Sequence, residues 1–364
     1  MKKYLVLVLV VAVFACTQKQ PGFNINVKLE GAEGKILLEK RGASEWISVD
    51  TADIVDGVAV LEGEVDVPGD YYLSVVGQRP KTIVFVENTN MTVVGKVDSL
   101  NFVKVTGSPT HDQYAKLNEQ ITEIIKKCNT LYQESRAAIA AGDTVKGREI
   151  MAEVERIYEG TNTLQEDFVK NNPASYLTPY ILTQIQREKE VEELEAMVNA
   201  LDPKLDSIPS ILQLKEQIVK LKKVAVGQVA PDFTQNDPDG NPVKFSDVYS
   251  QNDLTLLDFW AAWCGPCRQE NPNIVAVYND FNNKGFTILG VSLDQDRERW
   301  LKAISDDKLT WTQVSDLKYW QNEAAALYSV RSIPANVLVD QAGKIVGKNL
   351  RGEDLRKKLA ELLP

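Results

Sequence analysis

The sequence predicts a multidomain protein with an N-terminal antiparallel β-sandwich-like domain, a helical middle region and a C-terminal α/β domain. Three observations predict this order. Residues 23–107 form short β-rich runs divided by turn residues, residues 108–223 carry apolar side chains at helical steps, and residues 224–364 alternate buried strands with helices. A chain of 364 residues is also long enough for two or three domains.

Composition and charge exclude several classes of function. The chain has 41 Lys and Arg against 51 Asp and Glu, a net charge of −10. An acidic chain without a basic block does not suit nucleic acid. Its single histidine, His111, argues against multi-histidine metal sites and against Ser-His-Asp or Cys-His catalysis. We therefore expect no metal, no cofactor and no nucleic-acid partner.

Residues 1–15 are predicted to be a lipoprotein signal peptide. Lys2 and Lys3 precede the apolar run Leu5–Ala15, which is too short to span a membrane but suits an export signal. The following Cys16 completes a pattern that resembles a bacterial lipoprotein signal, in which cleavage before the cysteine leaves it to be lipidated. The alternative is an ordinary signal peptide cut nearby, with Cys16 incidental. The lipoprotein interpretation places the protein in the cell envelope, lipid-anchored and facing the periplasm.

The first domain, residues 23–107, has the pattern of a small antiparallel sandwich or barrel. Apolar and polar residues alternate, as at Ile25, Val27 and Leu29, and turn residues recur about every ten positions. We find no set of residues in it that suggests a catalytic or ligand-binding site. The run Val105–Thr110 resembles the close of a β-rich domain of unknown function that precedes thioredoxin-like domains in some exported bacterial lipoproteins.

The middle region, residues 108–223, is predicted to be a helical connector and an interaction surface. Its first helix has one apolar stripe that includes Cys128, and Gly142-Asp143 is expected to end this helix. Cys128 is expected to be a small buried core residue, with a regulatory thiol as the alternative. His111, near the start of the helix, is expected at the surface or in a capping role.

Residues 224–364 have the order β-α-β-α-β-β-α of an α/β domain. Leu254–Phe259 and Phe286–Leu293 are dense apolar runs of the kind found in buried parallel strands. A helix follows the first run from Cys267 to about Asn283, and Glu353–Leu363 forms an amphipathic helix at the end.

The chemistry is concentrated at Trp263-Cys264-Gly265-Pro266-Cys267. A lone C-x-x-C motif could be half of a zinc site, but the remaining ligands are missing. Here the pair follows a buried strand and opens a helix, whose positive end stabilises a thiolate at Cys264. Pro266 suits the first turn of a helix, where its missing N–H is not needed.

This motif looks like the active site of thioredoxin, and residues 224–364 resemble the TlpA/ResA-like branch of exported thioredoxin-fold proteins. The resemblance implies that Cys264 is the exposed attacking thiolate and Cys267 the buried resolving thiol. Asp258 matches the buried carboxylate of the family, which has a raised pKa and accepts the proton of Cys267. A polar core residue with satisfied hydrogen bonds is the alternative for Asp258. Trp263, Gly265 and Pro266 would shape the surface on which a partner docks.

The run Ser332-Ile333-Pro334 resembles the cis-proline loop of the same family. In that role Ile333 presents its backbone to an extended substrate as an added strand, next to Pro334. The alternative is an ordinary proline at the entry of a strand. Two departures stand out. Gly290 occupies the place where thioredoxin has a lysine near the buried acid, and the segment Asp294–Ser329 is longer than thioredoxin needs.

The resemblance implies a lipid-anchored, extracytoplasmic thiol-disulfide oxidoreductase that reduces partner-protein disulfides, or oxidises dithiol proteins in the reverse direction. A membrane thiol carrier would supply its electrons. One alternative is a non-enzymatic binding lipoprotein that uses residues 23–223. Another is a peroxiredoxin-type peroxidase, because Gly227, Ala230-Pro231 and Phe233 also occur in that relative. The Thr and Pro that peroxiredoxins need before their reactive cysteine are missing here.

Overall fold

The computed structural model describes residues 22–42 and 45–363. The chain forms two compact units. The first extends to Glu188 and also takes in Ala200–Ser210, whereas the second consists of Lys189–Asn199 and the chain from Ile211 onward. The helical middle region is thus divided between the two units. No helix among the described residues has both the length and the apolar content needed to cross a membrane.

The first unit contains two four-stranded sheets, ordered β4-β1-β7-β8 and β3-β2-β5-β6. Their strands are β1 (Phe23–Glu30), β2 (Gly34–Arg41), β3 (Trp46–Ile54), β4 (Val58–Gly63), β5 (Gly69–Val75), β6 (Lys81–Val86), β7 (Asn90–Lys96) and β8 (Lys104–Thr106). The alternating apolar residues of both sheets share one core. The predicted β-rich, sandwich-like domain is confirmed. Its neighbouring strands are antiparallel except for β1 and β7, which pair in parallel.

The middle region is helical, as predicted. It contains α1 (Pro109–Ala140), α2 (Thr144–Asn171), α3 (Thr178–Ile185), α4 (Val191–Asn199) and α5 (Pro209–Lys222). Ser108 caps α1 by accepting the His111 backbone N–H, and Asp143 caps α2 in the same way through Lys146. The long helices α1 and α2 pack along each other, joined by a turn in which Gly142 has a φ of 89°.

The structure confirms one side-chain prediction in this region and corrects another. Cys128 is buried on α1, as expected of a core residue. His111 is not at the surface: it is 6% exposed, and its Nδ1 accepts the backbone N–H of Phe85 at 3.3 Å. The first turn of α1 packs against β6, so the side chain enters the core. Burial lowers the pKa of His111 to about 4, which keeps the ring neutral.

The second unit is built on a five-stranded sheet ordered β13-β12-β11-β14-β15. Its strands and helices, with the β9-β10 hairpin, are β9 (Thr234–Asn236), β10 (Pro242–Lys244), α6 (Phe245–Tyr249), β11 (Leu254–Trp260), α7 (Gly265–Phe281), β12 (Phe286–Ser292), α8 (Arg297–Asp307), β13 (Thr312–Val314), α9 (Glu323–Leu327), β14 (Ala335–Asp340), β15 (Ile345–Lys348) and α10 (Gly352–Leu362). Strands β11, β12 and β13 are parallel, whereas β14 and β15 are antiparallel to their neighbours. The α/β prediction is confirmed.

The central strand β11 determines where the site forms. Each of its residues is buried, which explains its unbroken apolar sequence. Its carboxyl end continues through Ala261–Trp263 into α7. Strand β14 runs the other way and begins at Ala335, which pairs with Phe259. The start of α7 and the segment before β14 therefore meet at one edge of the sheet.

Candidate active site

The two cysteines of the C-x-x-C motif lie at the start of α7. Cys264 is the N-cap residue, and its Sγ accepts the backbone N–H of Cys267 at 3.1 Å. The two sulfur atoms form a disulfide. Once this bond is reduced, the same N–H and the positive end of the helix favour a thiolate on Cys264. Local helix geometry thus distinguishes the first cysteine of the pair from the second.

Both sulfurs are less accessible than the sequence suggests. Cys267 is 1% exposed, as predicted, but Cys264 is only 4% exposed, so the prediction of an exposed Cys264 is wrong for the disulfide form. The disulfide directs Cys264 Sγ toward Cys267 and into the apolar core of the domain. The neighbouring Gly265 and Pro266 are exposed. They form the surface through which a partner could approach the sulfur atoms.

Asp258 is a buried carboxyl group on β11. The residue is 3% exposed, and its Oδ1 has no hydrogen-bond partner among the described residues. Burial raises the pKa of Asp258 to about 7, and the negative charge of Glu270 adds to the increase, while Arg351 opposes it. A structural polar residue in a core normally has its hydrogen bonds satisfied. The unpartnered oxygen therefore favours the acid–base interpretation of Asp258 over the alternative.

Sequence reasoning missed two charged residues near Asp258. Glu270 lies on α7, one helical turn after Cys267, and its Oε1 accepts the backbone N–H of Gly352 at 2.8 Å. Arg351 donates to the backbone oxygen of Pro334 and also lowers the pKa of Asp258. The spacing of Glu270 from Cys267 on one helix was a usable signal. The sequence gives no such signal for Arg351, because it is far from Asp258 in the chain and lies just before α10.

Trp263 belongs to an exposed group of aromatic rings beside the motif. Its Nε1 donates to the backbone oxygen of Leu293 at 3.3 Å, and the residue is 43% exposed. The ring centroid lies 5.1 Å from that of Tyr319 and 5.9 Å from that of Trp320. We call these three residues the aromatic cluster. Tyr319 and Trp320 belong to the long segment after β12, and sequence reasoning did not single them out.

In the loop before Cys264, both backbone polar atoms of Ala262 form hydrogen bonds with side chains. The N–H of Ala262 donates to Asp294 Oδ2 at 2.9 Å, and its carbonyl accepts from Arg268 Nη1 at 3.4 Å. Arg268 in turn forms a two-point ion pair with Asp307. A cavity of about 530 Å³ lies beside this brace, with Trp263 in its wall. The brace fixes the backbone that carries the first cysteine.

The structure places the remaining predicted residues as follows. The Ile333-Pro334 peptide bond is cis, as predicted. Ile333 packs against the core that contains both cysteines, and Pro334 directly precedes Ala335, which pairs with Phe259 near the end of β11. Gly290 pairs with Asp258 in the register of β11 and β12. Cys16 and the predicted signal peptide lie outside the described residues.

Comparisons with known proteins give the same picture as the site. The AhpC/TSA family model matches residues 226–348, and a domain of unknown function, DUF4369, matches residues 23–114. The thiol-disulfide oxidoreductase ResA of Geobacillus thermodenitrificans is 30% identical over 144 residues, which are 39% of this chain and 80% of that protein.

Two further similar proteins are a plant nucleoredoxin and a solved bacterial domain. The probable nucleoredoxin 1 of Arabidopsis thaliana is 38% identical over 123 residues, which are 33% of this chain and 20% of that protein. The solved thioredoxin domain of a thiol-disulfide oxidoreductase from Bacteroides vulgatus is 42% identical, covering 38% of this chain and 99% of that one, with a TM-score of 0.36. With its disulfide at the start of α7 and its match to most of ResA, the chain belongs to the thioredoxin-like thiol-disulfide oxidoreductases of the ResA type.

Proposed function

We propose that this enzyme is a lipid-anchored, periplasm-facing reductase that transfers electrons from the Cys264–Cys267 dithiol to the disulfides of partner proteins. The observation that carries the proposal is the cysteine pair at the N-terminus of α7, in the same domain as the buried and unpartnered Asp258. The first feature favours a thiolate, and the second supplies a base that burial has brought into the neutral range.

The reaction follows the chemistry of thiol–disulfide exchange. The Cys264 thiolate attacks one sulfur of a partner disulfide, and the other partner sulfur leaves as a thiolate. Cys267 then gives its proton to Asp258 and attacks Cys264 Sγ. This forms the Cys264–Cys267 bond and releases the second partner thiol. Two electrons have passed to the partner, and a thiol carrier must supply two more for the next cycle.

Partner docking involves the surface around the buried disulfide. Gly265 and Pro266 provide an exposed approach, and the backbone of Ile333 beside Pro334 offers an edge to which an extended peptide can add as a strand. Trp263 would contact the residues that flank the partner cysteine. Because Cys264 is 4% exposed in the disulfide form, we expect the thiol carrier that re-reduces the enzyme to fit closely before the sulfur atoms meet.

The direction of electron flow and the location are inferred from two short sequences. The Gly265-Pro266 spacer resembles that of reducing thioredoxin-fold proteins, so we assign a reductase rather than an oxidase. The sequence around Cys16 resembles a lipoprotein signal, so we assign lipid attachment at Cys16. An enzyme held there would receive its electrons from a thiol carrier in the membrane.

Trapping of the mixed disulfide tests the catalytic assignment. We expect Cys267→Ser to hold the partner chain through a mixed disulfide with Cys264, because the resolving thiol is missing. Cys264→Ser should hold no partner chain. Cys128→Ser is the matched control, since Cys128 is a free, buried cysteine on α1. In the assay, each reduced enzyme variant is incubated with insulin, and the products are separated by non-reducing electrophoresis. Equal trapping by both motif variants would refute the assigned roles.

Two other functions are less well supported. The non-enzymatic alternative is not supported, because the chain belongs to a family of thiol-disulfide oxidoreductases. For the peroxidase alternative, Trp260–Trp263 occupy the positions where a peroxiredoxin needs Thr and Pro. We therefore expect no consumption of hydrogen peroxide beyond that of the Cys264→Ser variant.

A further inference from the structure

A row of polar positions crosses the sheet at Asp258. In the strand register, Asn336 on β14 pairs with Asp258 on β11, Asp258 pairs with Gly290 on β12, and Gly290 pairs with Gln313 on β13. Side chains at paired positions lie on the same face of a sheet. Asp258 and Gln313 therefore face the same side and are separated only by a glycine.

The missing side chain of Gly290 leaves space that Gln313 occupies. A Cβ atom placed on Gly290 would stand 2.2 Å from Gln313 Oε1 and 2.8 Å from Gln313 Nε2. The carboxamide of Gln313 thus lies over Gly290 rather than over its own strand. Since neighbouring strands are about 4.8 Å apart, this brings the amide one strand spacing closer to Asp258.

The orientation of this carboxamide is fixed by Trp260. The indole Nε1 of Trp260 donates to Gln313 Oε1 at 2.9 Å. An indole N–H can only donate, so the atom that it meets is the amide oxygen. Gln313 Nε2 is left as a buried donor without a partner among the described residues. The same face therefore holds an unpartnered donor on Gln313 and an unpartnered acceptor, Oδ1, on Asp258.

The other polar neighbour in the row does not compete for Asp258. Asn336 Nδ2 donates to the backbone oxygen of Leu350 at 2.7 Å, and Asn336 Oδ1 accepts the Leu350 N–H at 2.9 Å. Both functional atoms of Asn336 are thus engaged. Gln313 is the side chain in the row that retains a donor for Asp258.

We propose that Gln313 is a positioning residue that donates a hydrogen bond from Nε2, across Gly290, to the ionised carboxylate of Asp258. The proposal rests on the proposed function of Asp258 as the base that accepts the Cys267 proton. A donor to the charged form stabilises that form. It opposes the effects of burial and of Glu270 on α7, and it acts together with Arg351 before α10. The carboxylate is thereby ionised and correctly turned when Cys267 must lose its proton.

The test measures the titration of Asp258 directly. The reduced protein is labelled with ¹³C at its aspartate carboxyl carbons, and the Asp258 signal is assigned by its loss in Asp258→Asn. We expect Gln313→Met to move the Asp258 midpoint upward by about one pH unit, the size expected for a lost hydrogen bond to a charged group. An unchanged midpoint in the folded variant would refute the proposal.

Two further variants separate this role from a structural one. Trp260→Phe removes the bond that orients the Gln313 amide but leaves Nε2, so the midpoint should rise by less than in Gln313→Met. Gln313→Leu removes the amide donor without adding a charge, so the midpoint should also rise in this variant if Gln313→Met does not fold. A shift of equal size in Trp260→Phe would instead indicate general loosening and would overturn the assignment.

The same samples distinguish this proposal from the proposed function. Insulin reduction is measured over the same pH range. The Asp258 midpoint can move in Gln313→Met while the pH dependence of the insulin reduction rate stays the same. In that case Gln313 is the donor, and the catalytic role of Asp258 is refuted. If the pH dependence of the rate and the Asp258 midpoint move together, both assignments are supported.

Discussion

At the scale of single residues, the proposed catalytic role of Asp258 comes with a cost in stability. Its pKa rises from 3.8 to about 7 in the folded chain, so between those pH values the folded state binds a proton that the unfolded state has lost. The free energy of unfolding therefore falls as pH rises through this window, by up to about 4 kcal/mol.

This relation gives a prediction for Asp258→Asn. At pH 8 the variant should be more stable than the natural protein, because no buried carboxylate has to ionise, and the difference should shrink toward pH 4. Resolution of the mixed disulfide should slow by about 10² or more, since the proton acceptor is lost. Denaturant unfolding at several pH values and single-turnover kinetics measure the two effects. The control is Asp239→Asn, an exposed turn residue. A variant without a stability gain at pH 8 would contradict the account.

His111 predicts a pH dependence of the opposite sign. Its pKa is lowered from 6.5 to about 4, so the unfolded chain takes up the proton first as pH falls. The free energy of unfolding of the first unit should therefore drop between pH 6.5 and 4, by up to about 3 kcal/mol. His111→Asn keeps an acceptor for the Phe85 N–H and should lose this slope. Equal slopes in the two proteins, measured by urea unfolding, would show that His111 is not the titrating group.

The sequence predicted those features that depend only on neighbouring residues in the chain. The spacing of Cys264 and Cys267 and the N-terminal position of Pro266 in α7 follow from neighbours in the chain, so they could be predicted. The burial of Cys264 and His111 could not, because it depends on packing against distant segments. Gln313 and Arg351 were missed for the same reason. Each reaches the vicinity of Asp258 only through the sheet or the loop before α10.

At the scale of elements, the long segment after β12 contributes aromatic side chains to the surface beside the cysteine motif. It contains α8, β13 and α9, and it brings Tyr319 and Trp320 against Trp263. Sequence length predicted extra elements here but not the aromatic contact. The apolar run of β11 likewise predicted a buried central strand. The parallel pairing of β1 with β7 was not predictable, since alternation is the same in parallel and antiparallel strands that have one buried face.

The aromatic cluster leads to a prediction about partner docking. Trp320→Ala should raise the KM for a protein disulfide about tenfold, because exposed aromatic side chains often dominate protein interfaces. The kcat should be unchanged, since the ring does not touch the cysteines in the reaction. Trp46→Ala is the matched control: Trp46 is 42% exposed in the first unit, and Trp320 is 37% exposed. Steady-state reduction of a folded protein substrate is the assay. A fall in kcat at constant KM would contradict a docking role.

At the scale of the whole molecule, the chain joins an enzymatic domain to a unit whose family has no assigned function. Our proposal places both at a membrane through Cys16, which lies outside the described residues. We expect Cys16→Ser to move the protein from the membrane to the soluble fraction of fractionated cells. Cys128→Ser should leave it with the membrane. Retention of Cys16→Ser in the membrane fraction would rule out lipid attachment at this residue.

The reduction potential of the Cys264–Cys267 pair tests the central claim most directly. The chain from Thr17 onward is equilibrated with thiol buffers of known potential, and the fraction of disulfide is measured after acid quenching and thiol labelling. Our account predicts a value near that of thioredoxin, about −270 mV, as a reductase requires. A value near that of DsbA, about −120 mV, would contradict it and would identify the enzyme as an oxidant of partner dithiols.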